Sequence, residues 1–495
     1  MVPSTVLTDR WRMHRNESAP QGGTPGFSGA GPAQWTFDLL KRLSPQWRDA
    51  LLYGCSALFA GTTALVVGIP LYRQWGQMAF GPYAAATVLM AVVAWRLGRR
   101  SGGQDRPAGR RRWKVARLLA FLIVLFGATV VPLTMEVIWR SEGNAALHVQ
   151  PEVLVVEQAG DRAAHGKDPY QVIDRDGHIL IHQNTEPIYE LYYPYLPGMV
   201  VFGFSTGSKV EARLTDARIQ FLVFTGLVTL LALSRLRPRT DARFRALQVL
   251  TVLPTAALPL ATGGDDMPVV AMMLMGLVAL QRRRPVLAGL ALGAASSLKF
   301  TAWPLVVLAL WAAYDLGGRR AIGRYALGVV AIAGPVVLPV ALRNPSAFID
   351  NVIRFPLGLA GVSSPAASAL PGHILVSALP GIHRVYVVVA AVLGMAVLAW
   401  YVMRRPPRNA AQVASLTGWV MLTGILLAPA TRVGYLLYPI NLFVWAWMLR
   451  RADDPAVVSP DPGGDQLSSG SSKSSSENDV VPVPVVGDTT APTSQ

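Results

Sequence analysis

Long apolar runs separated by short arginine-rich clusters dominate the residue pattern of the chain. Several runs are shorter than the ~20 residues that cross a bilayer unaided, so their predicted ends are approximate. The pattern predicts an all-α, polytopic bundle of transmembrane helices. About twelve spans are predicted, near residues 50–70, 78–96, 116–138, 217–235, 245–262, 267–281, 286–299, 301–315, 325–342, 385–403, 411–429 and 433–449.

The basic clusters orient these predicted spans. The connection "RLGRRSGGQDRPAGRRRWKVAR", Arg96–Arg117, holds nine basic residues and one acidic residue, and the positive-inside rule therefore places it in the cytoplasm. With twelve spans, the other arginine-rich connections fall on the same side. We therefore expect a multi-pass protein of the cell membrane with both termini in the cytoplasm and long loops outside, at 140–209 and 343–384.

Composition agrees with this class and excludes others. Of 495 residues, 52% are hydrophobic and only 15% are charged, which is too apolar for a soluble protein of this size. The net charge of +16 is spread between apolar runs, so no basic domain exists that could bind nucleic acid. The single cysteine, Cys55, excludes an intramolecular disulfide and a cysteine-based metal site.

The chain divides into four predicted parts. Residues 1–45 and 451–495 are predicted to be disordered cytoplasmic arms, because Ser, Pro, Gly and charged residues dominate them. Residues 46–114 form two N-terminal spans and a basic loop, and residues 115–450 form the main membrane module. Within that module "YYPYLPGMVVFGFSTG", Tyr192–Gly207, is too short to span, so we predict a juxtamembrane or re-entrant helix on the outer face.

The outer loop after the third span carries many acidic residues, most of which fit a solvated surface. The segment "PEVLVVEQAGDRAA" has apolar residues at helical spacing and predicts an amphipathic helix at the membrane interface. Glu152 begins this helix near the membrane surface, Asp161 follows on it, and Asp168 lies in the turn "GKDPY". The loop's histidines form no second cluster beside "HILIH", so no metal site is predicted.

A second polar group interrupts the apolar runs at "GGDDM". Adjacent residues at a helix start point in different directions, so we expect Asp265 and Asp266 to play different roles. One is expected to cap the helix that begins at Met267, and the other to bind a sugar hydroxyl or Lys299. Lys299 ends a span, where a lysine needs an anionic partner. Either the acidic pair or a lipid phosphate would provide one.

The order of these features resembles a known group of enzymes. The chain has a long outer loop with an early carboxylate, followed by "GKDPY", "YYPYLPG", "EARLTDARIQFLVF" and "RRRPVLAGLALGAASSLKFTAWPL". This order of features is similar to the GT-C superfamily of integral membrane glycosyltransferases. Within it, the chain most resembles the polyprenyl-phosphate-mannose-dependent mannosyltransferases of bacterial glycosyltransferase family 87. The resemblance covers roughly residues 115–450. Two N-terminal spans precede the helix that normally leads the module.

The resemblance implies a hexosyltransferase of the cell envelope. Such enzymes move a hexose, here expected to be mannose, from a polyprenyl phosphate to a lipid or glycan acceptor outside the membrane, usually with inversion. The bilayer is their third partner, and no cofactor or metal is implied. The loop reads "QPEVLVVE" where the family commonly carries an aspartate, so the base stays open among Glu152, Asp161 and Asp168.

The implied reaction also needs groups that bind the substrates. Cations must neutralise the leaving phosphate, and a polar or aromatic wall must bind sugar or prenyl chain. The expected substrate-binding residues are Asp265, Asp266, Lys299, Arg432, Arg213, Tyr170 and Tyr193, with Arg354 as a further cation.

Two hypotheses from other classes compete with an enzyme. A transporter or lipid flippase would lack transfer chemistry, but no clear internal repeat is present and the charges gather near one face instead of the midplane. A membrane scaffold would use the long loop to bind a partner, but it does not account for Lys299 or the acidic pair.

Overall fold

The computed structural model describes residues 44–99, 107–143, 147–170, 188–204, 212–236, 240–360, 362 and 365–452. Within these ranges every regular element is a helix, and the only β-type pairing is an isolated bridge between Ala367 and Thr431. The predicted all-α, polytopic fold is confirmed. The predicted disordered arms fall on residues that are almost entirely outside the described ranges.

The first third of the described chain contains an N-terminal hairpin, a long helix with a π-helical turn, and the helix of the outer loop. A π-helical turn, Phe126–Val130, joins the third and fourth helices into one continuous rod. The helices are α1 (Pro45–Val66), α2 (Pro70–Arg99), α3 (Pro107–Leu125), α4 (Val131–Glu142) and α5 (Pro151–Ala164).

The middle of the chain is a series of short and long apolar helices. Its elements are α6 (Ala212–Thr215), α7 (Ala217–Ser234), α8 (Thr240–Thr251), α9 (Pro254–Thr262), α10 (Asp266–Gln281), α11 (Pro285–Leu298) and α12 (Trp303–Arg343). Gly317 and Gly318 leave helical geometry inside α12, so this element is two helices joined at a kink. Glycine is suited to the kink because Gly318 has φ +60°.

The last part of the chain returns through three longer helices. Its elements are α13 (Pro345–Ile349), α14 (Pro371–Ala378), α15 (His383–Arg404), α16 (Ala410–Leu427) and α17 (Leu437–Ala452). Side-chain caps mark several helix starts, since Ser44, Asp216 and Asn409 each accept a hydrogen bond from a first-turn backbone N–H.

The described helices account for a multi-pass membrane protein. Seven stretches are long and apolar enough to cross a membrane, and α8 with α9, bent by 44°, would form an eighth. Each of the twelve predicted segments is helical, but α10 and α11 are short and α12 contains two predicted spans. The count of twelve and the placement of both termini in the cytoplasm therefore stay predictions.

The N-terminal hairpin of α1 and α2 is fastened to the rest of the bundle by buried polar contacts. On α2, Trp75 Nε1 donates to Ala128 O (2.8 Å) and Tyr83 Oη donates to Val252 O (2.6 Å). On α1, the buried Asp49 carboxylate pairs with Arg117 of α3 (3.0 Å) and Arg245 of α8 (2.7 Å). These contacts make the hairpin part of the packed structure.

The predicted juxtamembrane segment is present as a short 3₁₀ helix, Pro197–Gly203, which is mostly buried. It lies between α5 and the end of α11. A Cβ on Gly160 would meet the Gly203 backbone at 2.3 Å, and one on Gly198 would meet the Ser297 carbonyl oxygen at 2.7 Å. Glycine at both positions permits this close packing.

Candidate active site

A cavity of about 210 Å³ lies between the start of α5, residues 189–195 and residues 299–301 before α12, and the segments around Phe355 and Arg432 complete its wall. Its wall is largely aromatic and apolar, with a few charged side chains that converge on it, as expected of a small-molecule site. The charged lining residues are Glu152, Glu190, Lys299 and Arg432, and the tyrosines are Tyr189, Tyr192, Tyr195 and Tyr435.

Glu152 lies in the first turn of α5 and forms an ion pair with Arg432. The two residues are 280 positions apart in the sequence. Only Oε1 of Glu152 accepts from Arg432, and Oε2 is buried with no hydrogen-bond partner among the described residues. An unpartnered carboxylate oxygen on a cavity wall is available to accept a proton from a bound hydroxyl.

Backbone contacts fix Arg432 in an extended conformation between α16 and α17. Its neighbour Thr431 donates through its backbone N–H to Ala366 O (2.8 Å) and accepts from the Ser368 N–H (2.9 Å). The Thr431 hydroxyl also donates to Ile425 O (3.0 Å). Arg432 therefore lines the cavity from an extended segment that backbone hydrogen bonds hold in place.

Lys299 follows α11 and is almost fully buried. Its Nζ donates to Asp266 Oδ1 (2.5 Å) and to Asp265 Oδ2 (3.2 Å). We expected the two carboxylates to diverge and one to cap α10; this was wrong. Asp265 occupies the N-cap position but makes no capping hydrogen bond, because both carboxylates turn toward the one buried cation.

The acidic pair is also bound from the C-terminal part of the chain. The Tyr438 hydroxyl donates to Asp266 Oδ1 (2.6 Å) and accepts from the hydroxyl of Thr301 (2.6 Å), which lines the cavity. The rings of Tyr195 and Tyr435 lie 5.1 Å and 5.6 Å from Lys299 Nζ, where they stabilise the ammonium by cation–π attraction.

The charge states in this cluster follow from its burial. Burial raises the pKa of Asp265 to about 7, with Asp266 and Glu152 adding to the rise and Lys299 opposing it. For Lys299, burial lowers the pKa, but Asp265 and Asp266 outweigh burial and leave the pKa above its usual value. Burial therefore favours the neutral form of Asp265, and the two carboxylates favour the charged form of Lys299.

A glycine turn brings the acidic pair beside α5. Gly263 has φ +117°, and a Cβ there would meet Val153 Cγ2 at 2.1 Å. Val153 is the residue after Glu152, so the turn and the start of α5 are in direct contact. Only glycine satisfies both the backbone conformation and the space.

The other two proposed bases lie elsewhere. The Asp161 side chain is 43% exposed near the end of α5, where it lies 3.5 Å from His165 of the same helix. Asp168 Oδ1 accepts from the Tyr170 backbone N–H (2.9 Å), which stabilises the "GKDPY" turn. Neither residue lines the cavity.

The remaining predicted binding residues are also outside the cavity wall. Arg213 is exposed and donates to Ser141 Oγ (2.9 Å), and Arg354 pairs with Asp350 of the preceding turn (2.6 Å). Tyr170 is buried and donates to Tyr195 O (2.8 Å). Tyr193 is buried too, and its backbone N–H donates to Asn351 Oδ1 (2.7 Å). These tyrosines support the cavity wall from behind.

Several residues in and behind the cavity wall have little signal in the sequence. Tyr438 and Thr301 sit in apolar helix starts, and only their hydroxyl groups distinguish them from their neighbours. Tyr435 and Tyr195 lie near charged residues in the sequence, but the sequence does not indicate what their rings face. Partners 34 to 280 positions apart, as in the two ion pairs, cannot be paired from spacing alone.

Metal binding has no support in the described part of the chain. Among the described residues, no group of three or more His, Asp, Glu or Cys side chains could hold an ion. His148 lies 2.9 Å from the buried Glu136. The "HILIH" histidines, His178 and His182, lie outside the described residues.

Residues 210–429 match the family model described as glycosyltransferase family 87. The match covers a little under half of the chain, and together with the apolar helices it supports a membrane glycosyltransferase. Asp265, Asp266 and Lys299 lie inside the matched region, whereas Arg432 lies three residues after it and Glu152 lies 58 residues before it. No curated protein and no solved structure matches the chain.

Proposed function

We propose that this glycosyltransferase moves a hexose, with mannose the first candidate, from a polyprenyl phosphate to a lipid or glycan hydroxyl on the extracytoplasmic face. The observation that supports this most is the free Oε2 of Glu152 on a cavity whose wall also carries Lys299 and Arg432. A base and two cations around one cavity are what sugar transfer from a phosphate requires.

In the proposed reaction the acceptor hydroxyl oxygen attacks the anomeric carbon and its proton passes to Glu152. The bond between that carbon and the phosphate oxygen breaks, and its electron pair leaves with the polyprenyl phosphate. Attack from the face opposite to the leaving group inverts the anomeric configuration. The leaving phosphate gains one negative charge, which Lys299 and Arg432 are placed to stabilise.

The acidic and basic side chains at this site can bind an anionic ligand more favourably when one of the carboxylates is neutral. Glu152, Asp265 and Asp266 supply three negative charges, against two positive charges from Lys299 and Arg432. A proton on Asp265, whose pKa burial raises, cancels the excess negative charge of these five groups, with Glu190 as a further carboxylate on the cavity wall. We propose that the phosphate then competes with Asp265 for Lys299.

The aromatic part of the wall suits the rest of the donor. Tyr192 and Phe355 stack at 4.5 Å with an angle of 8° between their rings, and both line the cavity. Flat aromatic surfaces pack against sugar faces and against prenyl carbons alike. A site next to the membrane can admit the prenyl chain from the bilayer.

The test is transfer by membranes that contain the full chain. Labelled mannose is offered as polyprenyl-phosphate mannose in one reaction and as a nucleotide-linked sugar in another, with endogenous lipids as acceptors. The expected result is labelled product from the polyprenyl donor alone. Product from the nucleotide sugar in membranes stripped of polyprenyl phosphate would contradict the proposed donor, and no product from any polyprenyl-phosphate sugar would favour a transporter or flippase.

A further inference from the structure

The N-terminal hairpin reaches the start of the helix that carries Glu152. Gln150 occupies the N-cap position of α5, and its side-chain Nε2 donates to Tyr72 Oη of α2 (3.0 Å) and to Thr262 Oγ1 of α9 (2.7 Å). Its backbone N–H also donates to Thr262 O (3.4 Å). One residue thus connects the hairpin, the outer-loop helix and the end of α9.

This connection joins the chain segments that carry Glu152 and Asp265. Thr262 immediately precedes the glycine turn that presents Asp265, and Gln150 precedes Glu152 by two residues. The side chain of Gln150 therefore ties the start of α5 to the turn of the acidic pair. Tyr72 is the residue of the hairpin that takes part in this connection. Tyr72 lies outside the region that matches the family model.

The amide of Gln150 has two hydrogens, and both are used in these contacts. Removing the Tyr72 hydroxyl leaves one hydrogen of this part-buried amide without its partner. Leaving a donor unpaired costs more than the contact itself contributes, so the amide is expected to rotate toward another acceptor. The Gln150 side chain makes no capping hydrogen bond to α5, so its rotation would instead weaken the contacts that hold the start of α5, where Glu152 lies, against α2 and α9.

We propose that Tyr72 is a positioning residue for sugar transfer, acting through Gln150 on the placement of Glu152. The proposal rests on the role of Glu152 as base given above. Misplacing a base affects the transition state more than the bound donor, so the loss should fall on kcat and spare the donor KM. The two N-terminal spans thereby become part of the catalytic structure.

A second tyrosine on the same helix provides the matched control. Tyr83 also loses one buried hydroxyl contact when changed to Phe, because its Oη donates to Val252 O (2.6 Å). It lies eleven residues further along α2, roughly 16 Å at the usual helical rise. Tyr83→Phe should lower stability without changing the placement of Glu152.

The experiment compares these variants in the full chain. Tyr72→Phe is expected to lower kcat about tenfold with an unchanged donor KM, and Tyr83→Phe to keep the parent kcat. In a double-mutant cycle, Tyr72→Phe added to Gln150→Leu should cause no further loss, since the two act as one unit. A parent-like kcat in Tyr72→Phe, or an equal loss in both tyrosine variants, would overturn the proposal.

A readout without activity separates this proposal from the proposed function. Hydrogen–deuterium exchange of the purified proteins in detergent is measured for the peptide covering residues 147–158. Faster exchange there in Tyr72→Phe, with parent-like exchange in Tyr83→Phe, is expected. If the parent transfers no sugar, the proposed function fails, but unchanged exchange in Tyr72→Phe is what would refute the positioning role.

Discussion

At the residue scale, the chemistry of the cavity depends on a lysine that serves two carboxylates. Lys299 holds Asp265 and Asp266 together, although adjacent side chains at a helix start normally diverge. The sequence identified all three residues as costly in an apolar setting. It could not show that one cation gathers both carboxylates, because the tertiary position of Lys299 decides where they turn.

The raised pKa of Asp265 predicts a pH dependence of stability. In the unfolded chain this carboxyl has an ordinary pKa, whereas burial in the folded chain raises it to about 7. The folded state therefore binds the extra proton, and stability should fall as pH rises from about 4 through 7. Thermal unfolding of the detergent-solubilised protein should show a falling Tm across this window.

Asp265→Asn removes the titrating group and keeps the shape of the side chain. In this variant the part of the Tm slope between about pH 4 and 7 that comes from Asp265 should disappear. Asp315→Asn, at an exposed aspartate of α12, serves as the control and should keep the parent slope. An identical slope in the parent and in Asp265→Asn would show that Asp265 does not titrate in this range.

At the element scale, apolar periodicity predicted helices well and contacts poorly. All twelve predicted segments are helical, and the amphipathic helix at Pro151–Ala164 is present as expected. The apolar pattern could not distinguish one long span from two helices joined at Gly317 and Gly318. Nor could it show that "YYPYLPG" packs as a 3₁₀ helix between α5 and α11, since close glycine contacts leave no periodic signal.

The crossing of α5 over the 3₁₀ helix makes a steric prediction. Gly160→Ala places a Cβ 2.3 Å from the Gly203 backbone, so α5 must shift, at a cost of roughly 1–3 kcal/mol. Both stability and transfer should fall, because the same helix carries Glu152. Tm and transfer rate in membranes measure the two effects.

Gly226→Ala on α7 is the matched control, because a Cβ there meets nothing within 4 Å. Alanine at this helical position should stabilise the protein slightly, by about 0.5–1 kcal/mol, through helix propensity. If Gly160→Ala behaved like Gly226→Ala, the close approach of α5 and the 3₁₀ helix would not exist in the protein.

At the scale of the whole molecule, the N-terminal hairpin packs against the region that matches the glycosyltransferase family model. The hairpin lies outside the matched residues 210–429, yet its Asp49 pairs with arginines of both α3 and α8. The sequence indicated two additional spans and gave no reason for them. The structure shows that they pack against α3, α8 and the start of α5.

Asp49→Asn should therefore weaken the attachment of the hairpin. Two arginines would lose a buried counter-ion, and breaking a buried pair in this way costs about 3–5 kcal/mol. A lower Tm and easier proteolysis between the hairpin and α3 are expected. Asp315→Asn should leave both unchanged, and a parent-like Tm in Asp49→Asn would contradict the structural role of this cluster.

The account as a whole depends on Glu152 as the base. The most direct measurement is the rate of hexose transfer from polyprenyl-phosphate mannose by Glu152→Gln, beside Asp161→Asn and Asp168→Asn, at equal expression and saturating donor. The account predicts that Glu152→Gln lowers kcat by about 100-fold or more, while both aspartate variants keep at least half of the parent rate. Parent-like transfer by Glu152→Gln, with loss in either aspartate variant, would contradict it.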